Sequence, residues 1–427
     1  MAQTIPTGSP AATRPQHQPR PLPAPAFSAS NPLRVLFCGR DMHFGWEYTH
    51  EALLGDEDIE VVQCDREEAA KLLPGFHIAV PLMTRLDASA LSAAGPVSSS
   101  GLEGGKLRLV LQFGVGLEGV DLGAASRAGV AVSNIPSASV PNALSCAEMA
   151  VFLALAALRR APELAESIRS RRLGAPPGRT LWGKRALLIG FGAIGRALAP
   201  RLRALGVEVD AVRRSEWEQE SGREEGTTTA AAKRKSEGRG GGDGGGCSGV
   251  CPPAPAASSS PACSLSDYDI DPLVASASLS RKGAWEADLH SFASTADLAF
   301  VCCAENAETR GVVGNGFWKS AKPGLVLVNV ARGGLVDPAA ALCALESGKA
   351  GALALDVQWE EPVDVFKDDF KKLCSHERVF LTPHVAGVTE ESYRGMAEVV
   401  AVAARSLARE GRVPERVMNA PVAGLEA

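Results

Sequence analysis

Short apolar runs closed by glycine alternate along most of the chain with longer stretches whose apolar residues lie three and four apart. Leu33-Arg-Val-Leu-Phe-Cys-Gly39 is the first such run, and its length and terminal glycine predict a buried strand. Ile59–Gln63, His77–Pro81 and Leu107–Gln112 repeat the pattern with helical stretches between them. That alternation predicts a parallel sheet with helices on its faces. Asn142 then offers an N-cap to a long helix over Ala143–Arg160. A second series opens at Arg185-Ala-Leu-Leu-Ile189 and continues through Glu208–Val212, Leu298–Cys302, Leu325–Val330, Ala352–Asp356 and Val379–Leu381. The expected fold class is therefore α/β, with two Rossmann-like parallel-sheet domains.

Two stretches break the pattern. Residues 1–32 are rich in Pro, Ala, Ser and Thr, and the first acidic residue is Asp41. Such a segment cannot bury a core and is expected to be disordered. Its lack of acidic residues fits a transit peptide, with an untargeted tail as the alternative, so the expected location is the cytoplasm or the chloroplast. From 216 to 283 the chain holds Thr227–Thr229, the basic Lys233-Arg-Lys235, the glycine tract Gly240–Gly246, and Pro252–Pro261 with Ala and Ser. This reads as a disordered insertion in a surface loop.

Composition narrows the classes. The 427 residues suffice for two domains with length to spare. A net charge of −5 gives no footprint for a polyanion, so no nucleic-acid partner is expected. No apolar run reaches the roughly 20 residues of a membrane span, and Leu144–Leu158 carries Glu148. The ten cysteines follow no repeating pattern, which is free-thiol usage rather than a disulfide framework. Cys247, Cys251 and Cys263 fit no zinc-ligand spacing, and no metal is expected.

The chemistry begins at Ala186-Leu-Leu-Ile-Gly190-Phe-Gly192-Ala-Ile-Gly195. A strand precedes this G-x-G-x-x-G and a helix follows, the context in which it cradles a dinucleotide. Gly190 allows the tight turn, Gly192 lets backbone approach a pyrophosphate, and Gly195 lets helix and strand pack closely. The anion then rests on free N–H groups at the helix N-terminus, from Ala193 and Ile194 onward. Pro200 removes one hydrogen bond inside that helix and is expected to kink it. The next strand ends at Arg213-Arg214-Ser215 where NAD sites place a carboxylate for the ribose. Asp210 comes too early, within the strand. Two guanidiniums and a hydroxyl suit a 2′-phosphate, so NADP(H) is the expected cofactor, with NAD the alternative.

Three residues follow strands of the second series: Arg332 before Gly333-Gly334, Glu361 before Pro362, and His384 before Val385-Ala-Gly387. Open α/β sheets bind ligands at such strand ends. Reduction of a 2-oxo acid needs a cation for the carboxylate and developing alkoxide, which Arg332 supplies. It also needs a proton donor, which His384 supplies, with Glu361 holding the imidazole and favouring its charged form.

At these residues the chain resembles the D-isomer-specific 2-hydroxyacid dehydrogenase family, near its NADP-linked glyoxylate and hydroxypyruvate reductases. The resembling segments are Val110–Asp121, Leu188–Arg196, Leu327–Asp337, Asp356–Pro362 and Thr382–Gly387. The resemblance implies a flavodoxin-like catalytic domain from residues 33–141 and 385–427, a cofactor domain from 142–384, and a homodimer. It implies that Arg332, Glu361 and His384 are catalytic. It implies substrate contacts at Val115 and Gly116 in Gly114-Val-Gly116, beneath a loop at Leu82 and Met83. Asp356 matches an acidic residue near the nicotinamide, and further cofactor contacts are expected at Cys303, Val330, Ala331 and Gly387. Arg213 departs from the family's usual aspartate, and Gln112 from a polar residue that bears on substrate choice. A corepressor-like dinucleotide sensor resembling the same family is the alternative. Glu361 argues against formate oxidation, since the formate enzymes resemble this pattern with glutamine there.

Overall fold

The computed structural model describes residues 27–41, 43–96, 105–137, 139–213, 278–279, 285–414 and 417–419. The expectations for residues 1–26, for nearly all of 216–283 including Lys233–Lys235 and Cys247, Cys251 and Cys263, and for Arg214 and Ser215 fall outside the described residues. Contacts divide the chain into two compact units, Met1–Asn142 with Val388–Ala427, and Ala143–Gly387.

In the first unit the strands are β1 (Leu33–Cys38), β2 (Ile59–Cys64), β3 (Ile78–Pro81), β4 (Leu109–Gln112) and β5 (Ala131–Asn134). The helices between them are α1 (Phe44–Ala52), α2 (Arg66–Leu72), α3 (Ala88–Ala94) and α4 (Leu122–Arg127). The sheet is wholly parallel in the order β2-β1-β3-β4-β5, a doubly wound arrangement whose strand order reverses at β1 and β3. Alternate residues serve opposite faces, as the pleat requires. Leu33, Val35 and Phe37 join one core with Ile78, Val80, Leu109 and Leu111. Leu36 and Cys38 join the other with Ala79, Val110 and Val132. A long C-terminal helix over Glu390–Glu410 covers the first face with Tyr393, Met396, Val400, Ala404 and Leu407. Thr389 caps its start by accepting from the Ser392 N–H, and Gly411 ends it at φ +65°. Arg405 holds this helix to Asp56 at 2.9 Å.

Order starts earlier than the sequence suggests. Phe27 packs edge-on against His77 with ring centres 4.9 Å apart, and Ser28 bridges Asn31. A single aromatic anchor recruits the last residues of a segment whose composition otherwise predicts none.

The second unit opens with α5 (Asn142–Leu158) and α6 (Ala161–Arg169) and contains β6 (Arg185–Ile189), α7 (Ala193–Ala204), β7 (Glu208–Val212), β8 (Ser278–Leu279), α8 (Trp285–Ala293), β9 (Leu298–Val301), α9 (Asn315–Ser320), β10 (Leu325–Asn329), α10 (Pro338–Glu346), β11 (Ala350–Leu355), α11 (Asp368–Cys374) and β12 (Val379–Leu381). The sheet order is β12-β11-β10-β9-β6-β7-β8, all parallel. The chain therefore leaves β6 in one direction and returns at β9 to build in the other, so the switch point lies at β6 and β9. Ala186 and Leu188 pack against α5 and α7, whereas Leu187 and Ile189 pack toward α8, α9 and α10. Such runs, buried on both faces, read in sequence as continuous apolar stretches. No single helix among the described residues is long and apolar enough to cross a membrane.

One expectation changes here. The 216–283 segment is not wholly without structure, because Ser278 and Leu279 form β8, pairing with Asp210 and Ala211 at the sheet edge. Two residues are too few to leave a periodicity, and the neighbouring strand supplies the order. Helix α7 carries Pro200 inside its range Ala193–Ala204. The proline gives up one donor, but the amphipathic face around Leu198 and Leu202 stays fully buried.

Candidate active site

The three glycines after β6 have different surroundings. Gly190 sits at φ +101°, and a Cβ there would lie 2.6 Å from the Cys303 nitrogen and 2.7 Å from its Cα. Gly195 would bring a Cβ within 2.7 Å of the Gly190 carbonyl oxygen. The protein's own packing thus needs the first and third glycines. A Cβ on Gly192 would meet nothing within 4 Å. That open approach beside a helix N-terminus is where a pyrophosphate fits. Among the described residues no acceptor takes the N–H of Ala193 or Ile194, so both remain available to an anion.

The Gly190 N–H donates to the Val212 carbonyl at 2.9 Å, which sets Arg213, the next residue, beside the glycine turn. Asp210 is buried within β7 and pairs with Arg185 at 3.4 Å. Its carboxylate serves the sheet rather than a ribose. Cys303 follows β9 at the switch point, and the buried Val330 and Ala331 follow β10.

His384 and Glu361 meet. The imidazole Nδ1 lies 2.7 Å from Glu361 Oε2, with both side chains largely buried. The Gln358 N–H donates to Glu361 Oε1 at 3.0 Å. Burial pushes the Glu361 carboxyl up, but the hydrogen bond and charge of His384, the Gln358 N–H and the Arg332 charge outweigh it. The net direction is below the ordinary glutamate value, so Glu361 is an anion at neutral pH. An anion on Nδ1 fixes that nitrogen as the proton-bearing one and leaves Nε2 to face a substrate. Arg332 stands near enough for its charge to bear on Glu361, and its Nη1 donates to the Ala331 carbonyl at 2.7 Å.

The backbone around these groups is closely held. His384 adopts φ +54°, a left-handed conformation that costs a non-glycine residue about 1–2 kcal/mol. Asp356, fully buried at the end of β11, offsets it. Its carboxylate accepts from Thr382 Oγ1 at 2.6 Å, the Val385 N–H at 2.9 Å and the Ala386 N–H at 2.8 Å. Its carbonyl takes the His384 N–H at 2.8 Å. So Asp356, which the resemblance places near a nicotinamide, organises the turn that carries His384 and leads to Gly387. Asn329 does the same for Arg332. Its Nδ2 donates to the Arg332 carbonyl at 2.8 Å and its Oδ1 accepts from the Ala331 N–H at 3.0 Å. Gly333 follows because a Cβ there would strike the Gln358 carbonyl oxygen at 2.0 Å. Asn329 and Gln358 were not picked out from the sequence. The signal available was a buried polar residue inside or just beyond an otherwise apolar strand.

In the first unit, Leu82 and Met83 follow β3, and Val115 and Gly116 follow β4. Both pairs lie at the carboxyl end of that unit's sheet. Gly114, at φ +135°, turns the chain between β4 and Val115.

Comparison with known proteins places this geometry. Residues 151–235 and 265–386 match the family model described as D-isomer specific 2-hydroxyacid dehydrogenase, NAD binding domain. The dinucleotide-binding part of the chain belongs to the D-isomer specific 2-hydroxyacid dehydrogenase family. It is 27% identical over 339 residues to the D-3-phosphoglycerate dehydrogenase of Archaeoglobus fulgidus, covering 79% of this chain and 50% of that one. The chain thus spans about half the length of the curated relatives it matches. The pyruvate reductase of Chlamydomonas reinhardtii shares the fold with a TM-score of 0.63 at 22% identity, covering 88% of this chain and 96% of that one. A glyoxylate reductase from Paecilomyes thermophila does so with a TM-score of 0.61 at 22% identity, covering 90% and 97%.

Proposed function

We propose that the protein interconverts a small 2-oxo acid and its D-2-hydroxy acid, acting on the CH–OH group with NADP(H) as the preferred dinucleotide. Glyoxylate and hydroxypyruvate are the first substrates to try. The observation that carries this reading is the 2.7 Å contact of His384 with an ionised Glu361, at strand ends in the same sheet as the glycine turn. The dinucleotide, when bound, supplies or accepts the hydride. The chain does the rest. The glycine turn and the first N–H groups of α7 take the pyrophosphate. In the first unit, the Val115 and Gly116 N–H groups are those that the family resemblance assigns to the substrate carboxylate. Arg332 neutralises charge developing on the carbonyl oxygen, and His384 Nε2 delivers the proton while Glu361 stabilises the charged imidazole.

Cofactor choice follows from Arg213 at the end of β7, where a guanidinium pairs with a 2′-phosphate and a carboxylate would repel it. Initial rates of NADPH and NADH oxidation with a panel of 2-oxo acids test both points. NADPH is expected to give the higher kcat/KM. Arg213→Asp is expected to cost about 10- to 100-fold with NADPH, the worth of one charge-assisted pair, and to raise activity with NADH. A wild-type preference for NADH removes the 2′-phosphate reading. We also propose a homodimer. The exposed apolar side chains of Ile168 and Trp182, in the segment after α5, are ones a second copy would cover. We place the protein in the cytoplasm or the chloroplast.

A further inference from the structure

In the first unit, the two loops that end in substrate-contact positions are each tied down by a buried side-chain amide. Gln112, the last residue of β4, is 8% exposed, and its Nε2 donates to the Leu82 carbonyl at 3.0 Å. Asn134, the last residue of β5, is 6% exposed, and its Nδ2 donates to the Val115 carbonyl at 2.7 Å. A trans peptide points its carbonyl and its N–H in opposite directions. Fixing the Leu82 carbonyl therefore aims the Met83 N–H away from Gln112. Fixing the Val115 carbonyl aims the Gly116 N–H away from Asn134. The Ile135 N–H donates to the Gly114 carbonyl at 2.9 Å and turns the Val115 N–H outward by the same rule. Among the described residues no acceptor takes the N–H of Met83, Val115 or Gly116.

The burial of these amides needs a reason. Asn134 Oδ1 is buried without a hydrogen-bond partner among the described residues. A buried acceptor left unmade is costly, and an apolar residue of similar size at the end of β5 would avoid that cost. What such a residue lacks is the donor that holds the Val115–Gly116 peptide.

We infer that Gln112 and Asn134 are positioning residues: from adjacent strand ends they orient the Met83 and Gly116 peptides so that their N–H groups converge on the carboxylate of a 2-oxo acid. The inference rests on the reaction proposed above. It adds that substrate affinity is set by two amides that never touch the substrate. It also gives the departure at Gln112 a physical meaning, since the side chain acts on substrate choice through the loop at Leu82 and Met83.

The test compares the full-length protein with Asn134→Leu, Asn134→Asp, Gln112→Met and Gln112→Glu, using glyoxylate as substrate and oxalate as a non-reacting carboxylate. Each variant is expected to raise the glyoxylate KM and the oxalate Kd at least 10-fold, to change kcat less than KM, and to leave the NADPH Kd unchanged. A merely structural role would lower the fraction of folded enzyme and leave KM of the remainder alone. Hydrogen exchange at single amides gives a reading that needs no substrate. Ile135 N–H in the Asn134 variants and Phe113 N–H in the Gln112 variants are expected to exchange at least 10-fold faster, while α7 is unaffected. Unchanged exchange and unchanged KM in folded variants overturn the inference. If the wild type turns over no 2-oxo acid and binds no oxalate, the proposed reaction falls and the assigned purpose of the ties falls with it, while exchange still shows whether the amides order the loops. Wild-type turnover with unaffected variants sinks the inference alone.

Discussion

His384→Gln lowers kcat for 2-oxo acid reduction by roughly 10²- to 10⁴-fold, the worth of a positioned proton donor, and leaves the Kd for the dinucleotide within a few-fold of wild type. The asymmetry follows from the geometry. His384 hydrogen-bonds Glu361 through Nδ1, while the groups assigned to the pyrophosphate lie on the turn after β6. Glu361→Gln separates the two roles of the pair. Burial pushes the carboxyl up, but the hydrogen bond and charge of His384, the Gln358 N–H and the Arg332 charge together outweigh it and hold it below its ordinary range. A group lowered in this way contributes its interaction at pH values above its unfolded value and loses it as pH falls through the folded one. At pH 7 the anion is thus fully present in wild type and absent in the glutamine variant. Wild-type kcat/KM is therefore expected to fall on the acid side as Glu361 is protonated, a limb that lies below the ordinary glutamate range, and the glutamine variant lacks that limb. A pH–rate profile of kcat/KM checks this, and an acid limb retained in the glutamine variant would remove Glu361 from the mechanism.

Gly190→Ala and Gly192→Ala fail in opposite ways. At Gly190 an added Cβ meets the Cys303 backbone at 2.6 Å and the position needs φ +101°. Strain and overpacking of about 1–3 kcal/mol each predict a fall in melting temperature on the order of 10 °C, with dinucleotide binding lost along with local order. At Gly192 the same methyl meets nothing within 4 Å, so the melting temperature stays near wild type. The methyl occupies the space assigned to the pyrophosphate, and the NADPH Kd rises by at least about 10-fold, the equivalent of roughly 1.4 kcal/mol. Thermal melts and fluorescence titration of NADPH on the two proteins measure this contrast. Equal behaviour of the two variants would mean that the open side of Gly192 is not a binding surface.

The sequence makes some of this legible and hides the rest for identifiable reasons. The strand cores at Leu33–Cys38, Arg185–Ile189 and Leu325–Asn329 are visible because burial on both faces demands unbroken apolar runs. β5 is harder to see. In Ala131-Val-Ser-Asn134 two of four residues are polar, and Asn134 is there to hold a neighbouring loop. β8 is invisible because two residues carry no period and the edge of the sheet supplies their order. Arg332, Glu361 and His384 can be singled out because each lies shortly beyond an apolar strand run, with Gly333, Pro362 and the Val385-Ala-Gly387 turn after them. The loop-holding roles of Asn134 and Gln112 cannot be read, because their partners, the Val115 and Leu82 carbonyls, lie far along the chain and are brought beside them only by folding, and the bonds of Asn329 form only once the chain turns at Ala331 and Arg332. For Asp356 the resemblance implies a place near the nicotinamide, and the structure adds a role the sequence does not show: its carboxylate holds Thr382, Val385 and Ala386.

The central claim is hydride transfer to a 2-oxo acid with protonation by His384 to give a D-2-hydroxy acid. Its most direct test is a reaction with NADPH deuterated at C4 of the dihydronicotinamide ring and glyoxylate or hydroxypyruvate, with the product examined for deuterium and handedness. The account predicts deuterium bound to C2 and, from hydroxypyruvate, D-glycerate alone. Formation of the L-acid, or product without deuterium from fully labelled cofactor of the transferred face, would contradict it.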